Sequence, residues 1–108
     1  MVALSIIETV RGYLSAVKET GIPVSFGVIF GSQSRGTATE WSDIDLLVVS
    51  SHFDGQKNHE EVDRLWRLTA RTDSRVEPIA VGEREWIEDD SRAIVEIARR
   101  EGQIVEVG

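Results

Sequence analysis

Apolar positions along this chain follow two periods. Between residues 3 and 19 they recur at Leu4, Ile7, Val10, Leu14 and Val17, a spacing that predicts one helix with a single apolar stripe. Gly21 and Pro23 end it, since glycine caps a helix and proline cannot continue one. "VSFGVIF" at 24–30 and "IDLLVVS" at 44–50 are short, unbroken apolar runs. Each predicts a strand in a central position with both faces covered. A segment from about 56 to 72 predicts a second long helix, with Val62, Leu65, Trp66 and Leu68 on its inner face. "RVEPIAV" at 75–81 predicts a third strand. Pro78 has no N–H for a ladder, which places that strand toward an edge or near its end. "EREWIEDD" predicts a short helix, Asp90 or Ser91 caps another from about 92 to 101, Gly102 stops it, and "QIVEV" is a last short strand. The succession predicts a single α/β (α+β) domain over 1–108, a small mixed sheet with helices packed mainly on one face.

Composition narrows what such a domain does. The chain of 108 residues carries 19 acidic and 12 basic side chains, a net charge of −7. That weighs against strong direct nucleic-acid binding, which needs a basic surface, and against an anionic membrane. Cysteine is absent, which excludes disulfides and thiolate zinc sites. No apolar stretch reaches membrane-spanning length, and the N-terminus lacks the basic start of a signal peptide, so a cytoplasmic protein is expected. His52 and His59 have no ligand cluster around them and are read as surface residues. Trp41 is expected to pack its own loop, although it could also wall a pocket. Trp86 suits either core or interface.

The stretch "FGSQSRGTATEWSDIDLLVV", 30–49, holds the candidate chemistry. In a strand, residues i and i+2 share a face, roughly 6.5–7 Å apart. Asp43 and Asp45 therefore project together. Two carboxylates that close repel, and a divalent cation relieves the repulsion. Oxygen ligands of this kind suit magnesium, which keeps phosphate oxygens in its shell. An isolated Asp-x-Asp is more often structural, one acid capping a turn and the other facing water. Upstream, Gly31 and Ser32 follow a strand end directly. Glycine permits close approach, and a turn here can aim N–H groups and the Ser32 hydroxyl at an anion. A short helix starting near Ser34 would add positive potential, and Arg35 a fork for phosphate. Gly-Ser alone is usually an ordinary turn.

Taken together, Gly-Ser after one strand, ten residues, then Asp-x-Asp opening the next resembles the signature of the minimal nucleotidyltransferases of the DNA polymerase beta superfamily. The match runs through Gly31, Ser32, Arg35, Gly36, Ser42, Asp43 and Asp45. What the resemblance implies is magnesium-dependent transfer of AMP from ATP to a hydroxyl, with release of pyrophosphate. Gly31 and Ser32 would bind the nucleotide's phosphates, with Arg35 a further contact. Asp43 and Asp45 would hold two magnesium ions, and such a pair of cations clamps the attacking and leaving oxygens. The family places a third acid on a later strand, and Glu77 matches it, with Pro78 an atypical neighbour. An edge-strand Glu77 facing water is the structural alternative.

Larger relatives carry a second domain that helps form the acceptor site, and this sequence stops after the catalytic core. The expected acceptor is thus supplied by another protein or by a second copy in a homo-oligomer. Chains of this length resemble the antitoxin of a two-gene system whose partner is a HEPN-domain ribonuclease toxin, modified on a tyrosine. The alternative is a catalytically inactive module that neutralises its partner by contact.

Overall fold

The computed structural model describes residues 2–88 and 92–107. Helix α1 spans Leu4–Glu19 and strand β1 spans Phe26–Phe30. One turn of helix, α2 (Ser32–Arg35), leads to β2 (Ile44–Val49). A 3-10 turn at Ser51–Phe53 precedes α3 (His59–Thr69) and β3 (Val76–Val81). Then come α4 (Glu83–Glu88), α5 (Ala93–Glu101) and β4 (Gln103–Val105). The proposed cap at Asp90 or Ser91 lies outside the described residues.

The strands form one sheet of order β3-β2-β1-β4. β1 runs antiparallel to β2 and to β4, whereas β2 and β3 are parallel. The mixed sheet follows from connection length, because β2 reaches β3 only through a crossover containing α3. Both faces are covered, as the unbroken apolar runs require. On one face α1 and α3, the two longest helices, pack on Ile29, Ile44, Leu46, Val48 and Val76. On the other, residues of α4 and α5 meet Val28, Leu47, Val49 and Val81. Strand alternation assigns these sets, and it puts Asp45 and Glu77 on the α4/α5 face.

Several helix positions differ from expectation. The stripe of α1 is Ile6, Val10, Tyr13, Leu14 and Val17, while Leu4 is 68% exposed. At 100° per residue, Leu4 lies on the far side of the helix from that stripe. α3 starts at His59 because the Asn58 side chain caps it, accepting from the N–H groups of Glu60 (2.9 Å) and Glu61 (3.3 Å). Trp66, expected in the core, is 48% exposed; it sits a quarter turn from buried Leu65, at the flank of the stripe. Trp86 packs edge-on against Phe26, with ring centroids 5.6 Å apart.

Pro78 sits in an edge strand, as expected, and the ladder shows why it is harmless. The N–H of Ile44 donates to the carbonyl of Arg75 and that of Ser50 to Val81. Alternate residues of a parallel strand face the same neighbour, so 75, 77, 79 and 81 turn their backbone toward β2. Residues 76, 78 and 80 turn theirs to the open edge, where the Ala80 carbonyl accepts from Arg92 (3.3 Å). Proline therefore removes no bond of the sheet, and the register of Glu77 is undisturbed.

Tyr13 joins the two long helices. Its hydroxyl donates to the carbonyl of Leu65 at 2.6 Å, in a buried setting. Burial pushes that hydroxyl well above the usual phenol range, so it stays a neutral donor. Tyr13→Phe is expected to lose about 0.5–1.5 kcal/mol, the net value of such a bond. Thermal unfolding checks it: a drop of several degrees is expected for a domain of this size, and an unchanged Tm would mean the bond adds nothing.

Candidate active site

The end of β1, the turn into α2 and the start of β2 meet at one corner of the sheet. Phe30 pairs with Asp45 across the antiparallel ladder. Asp45 in turn pairs with Glu77 across the parallel one. Gly31, directly after Phe30, thus comes down onto the Asp45 side chain. A Cβ added at Gly31 would stand 2.3 Å from Asp45 Oδ2, and its φ of +73° belongs to the region that favours glycine. Both facts require glycine there, and both set this turn against Asp45, the first acid of the strand.

α2 fixes this corner from above. Ser32 begins it, half-buried, and Ser34 returns its hydroxyl to the Gly31 carbonyl at 3.0 Å. Gly36 ends it with φ +75°, a left-handed cap. Gln33 is buried, and its side-chain amide donates to the carbonyl of Asp43 at 3.3 Å. It ties the turn to the strand mouth that carries the acids. This positioning residue was not singled out from sequence; the only signal was an amide placed inside the motif.

The acids differ in exposure. Asp43 is exposed, just before β2, while Asp45 and Glu77 are half-buried. Glu77 is held above the ordinary carboxylate range, first by desolvation, then by repulsion from Asp43, and by a side-chain hydrogen bond to Asp45 together with its charge. The structure thus brings all three acids within electrostatic reach of one another. Among the described residues, however, no three His, Cys, Asp or Glu side chains are gathered into a ready-made metal cage. The donor set is all oxygen and short of positive charge, which fits a hard divalent cation. Asp73, the nearest acid before β3, is instead occupied by Arg75 (2.7 Å).

Arg35 ends α2 and stands 3.7 Å from Glu101, at the end of α5. Both side chains are largely in water, where such a pair holds weakly. Thr39 and Ser42 close the next turn on each other, the Thr39 N–H donating to Ser42 Oγ at 2.9 Å. Trp41, expected to pack this loop, is 84% exposed instead, because the turn closes through hydroxyls and needs no ring. His52 and His59 lie at the surface as expected, with His52 Nδ1 2.9 Å from Glu61. No described helix is long and apolar enough to cross a membrane.

A family profile described as a nucleotidyltransferase domain matches residues 10–105. No curated protein matches the chain. Among solved structures, a candidate nucleotidyltransferase of Sulfolobus solfataricus aligns over 94% of this chain and 79% of its own, at 19% identity and a TM-score of 0.62. A toxin-antitoxin crystallised with AMP-PNP aligns over 87% of this chain and 70% of its own, at 20% identity and a TM-score of 0.58. At these identities the likeness is one of fold.

Proposed function

Because this chain belongs to the nucleotidyltransferase domain family, we propose that it is a protein adenylyltransferase that moves AMP from ATP to a hydroxyl. The acceptor is a tyrosine of a partner HEPN-type ribonuclease toxin, and the chain acts as its antitoxin in the cytoplasm. The supporting observation is the alignment of Asp45 with Glu77 across β2 and β3, beside a glycine turn that only glycine fits. The partner reading is supported by the toxin-antitoxin that shares the fold.

Asp43 and Asp45 would hold magnesium, with Glu77 completing the set. Bound there, the metal would neutralise charge on the triphosphate and polarise the α-phosphorus. Gly31 and Ser32 bind the β- and γ-phosphates, and Gln33 keeps Asp43 in register with them. The acceptor oxygen attacks the α-phosphorus in line, the bond to the β-bridging oxygen breaks, and pyrophosphate leaves. Glu77 takes the hydroxyl proton as general base. The net charge of −7 favours a basic partner through complementary fields.

The test is transfer of label from α-labelled ATP, with magnesium, onto the product of the adjacent gene. Label on a tyrosine, lost with EDTA, is expected. A partner neutralised with no label attached would make this chain the inactive, contact-only module instead.

A further inference from the structure

The glycine turn and two of the acids stand in one line across the sheet. Phe30, the residue before the turn, pairs with Asp45, and Asp45 pairs with Glu77. The line ends there, because β3 is an edge strand. An in-line displacement needs its nucleophile opposite the leaving group. With the β- and γ-phosphates at Gly31 and Ser32, at the β1 end of the line, the acceptor hydroxyl has to arrive from the β3 end.

A groove of about 510 Å³ lies along that outer edge. Pro78, Ile79 and Ala80 of β3 and Val62 and Trp66 of α3 line it. It begins at the residue after Glu77, and Ile79 shares the Glu77 face of the strand. Half-exposed Trp66 is thus one wall of the groove. A further strand does not fit the edge. Pro78 has no N–H, the Val76 N–H donates to the Asp73 carbonyl (3.1 Å), and the Ala80 carbonyl accepts from Arg92 (3.3 Å). Side chains must therefore hold the occupant. Apolar groups suit the floor, and the rim adds charge. Lys57 (2.9 Å) and Arg92 (2.8 Å) both lean on the single Glu85 carboxylate. Two cations on one acid leave the rim locally positive on a chain of net charge −7. A carboxylate on the incoming segment complements it.

We infer that this groove seats the polypeptide segment that carries the acceptor hydroxyl, with an apolar side chain against Trp66, Pro78 and Ile79 and an acidic one at Lys57 and Arg92. The inference rests on the proposed function, which supplies the direction of attack. It makes the acceptor a protein segment with an apolar and acidic flank rather than a small alcohol. The net charge of the chain acts at long range on the whole partner, whereas this rim acts on the segment in contact.

Steady-state label transfer from α-labelled ATP to the product of the adjacent gene decides it, with ATP and partner varied separately. Trp66→Ala is expected to raise KM for the partner about tenfold or more, the loss of one aromatic anchor, while KM for ATP stays within about twofold. Trp66→Phe restores most of the loss. Lys57→Gln raises the partner KM less and flattens its dependence on salt. Unchanged partner KM in Trp66→Ala, with wild-type labelling intact, overturns the inference and leaves the enzyme reading standing. An equal rise in KM for ATP also overturns it, by making the groove a support for the nucleotide site. A salt dependence that Lys57→Gln does not alter overturns the acidic occupant. A wild-type chain that labels no partner refutes the proposed function itself, and the groove's assignment falls with it.

Discussion

Asp43→Asn is expected to abolish label transfer from ATP while leaving the fold intact. The side chain is exposed, so its amide isostere removes a charge without opening a cavity. Its backbone carbonyl, which receives the Gln33 amide, is unchanged by the substitution. What disappears is half of the carboxylate pair that would hold magnesium against the triphosphate. Metal-assisted charge stabilisation is worth several kcal/mol, and each ~1.4 kcal/mol is tenfold in rate, so a loss of about a hundredfold or more is expected. Circular dichroism should overlay on that of the wild type. A variant that transfers label at the wild-type rate would make the aspartate pair structural and end the enzyme reading.

That prediction depends on geometry only partly legible in the sequence. The i, i+2 spacing predicted Asp43 and Asp45 on one side; the apolar run after them identified the strand, which begins at Ile44, so that Asp45 lies in it and Asp43 just before it. Glu77 was a different matter. Nothing local says that it stands beside Asp45; that is set by the parallel register of β2 and β3, a long-range pairing. Family resemblance singled it out, and the outward turn of Pro78 explains how the strand keeps its place. The contact between Gly31 and Asp45 was equally hidden, because two segments must converge before a missing Cβ acquires meaning.

Side-chain faces were read less well than elements. The stripe of α1 is centred near Val10 and Val17, and Tyr13 entered it through a hydroxyl that finds the Leu65 carbonyl. A pattern that counts only aliphatic residues misses such a member and admits Leu4 in its place. Trp41 and Trp66 erred in the other direction. A large ring was assumed to be buried, yet one turn closes through hydroxyls and one helix carries its tryptophan at the flank. Hydrophobicity decides whether an element forms a core, but the angular offset of each residue decides which side chains enter it.

Glu77→Gln separates the acid's chemical part from its electrostatic burden. In the folded chain this carboxyl sits above its ordinary range, through desolvation, Asp43 and Asp45. Unfolding removes those neighbours, so the folded state binds the extra proton between the ordinary and the raised value. Stability contributed by that proton is present below the unfolded value and is lost as pH rises through the folded one. At neutral pH the metal-free wild type therefore carries a repulsion that glutamine lacks. The variant should melt higher than the wild type at pH 7, with the advantage vanishing once the pH falls below the ordinary carboxylate range. Magnesium should reverse the order, since a ligand that binds only the folded chain stabilises it, and the wild type has one more oxygen charge to offer. Transfer should fall by about 10²–10⁴, the usual contribution of a positioned general base, with ATP affinity largely retained because the proposed phosphate contacts at Gly31 and Ser32 are untouched. Melting curves at two pH values, with and without magnesium, give the stability arm, and α-labelled ATP gives the rate. Full transfer by Glu77→Gln would remove Glu77 from the chemistry while leaving Asp43 and Asp45 in place. Equal melting at pH 7 without metal would mean that Glu77 does not feel the two aspartates, and the third acid would have to be sought elsewhere.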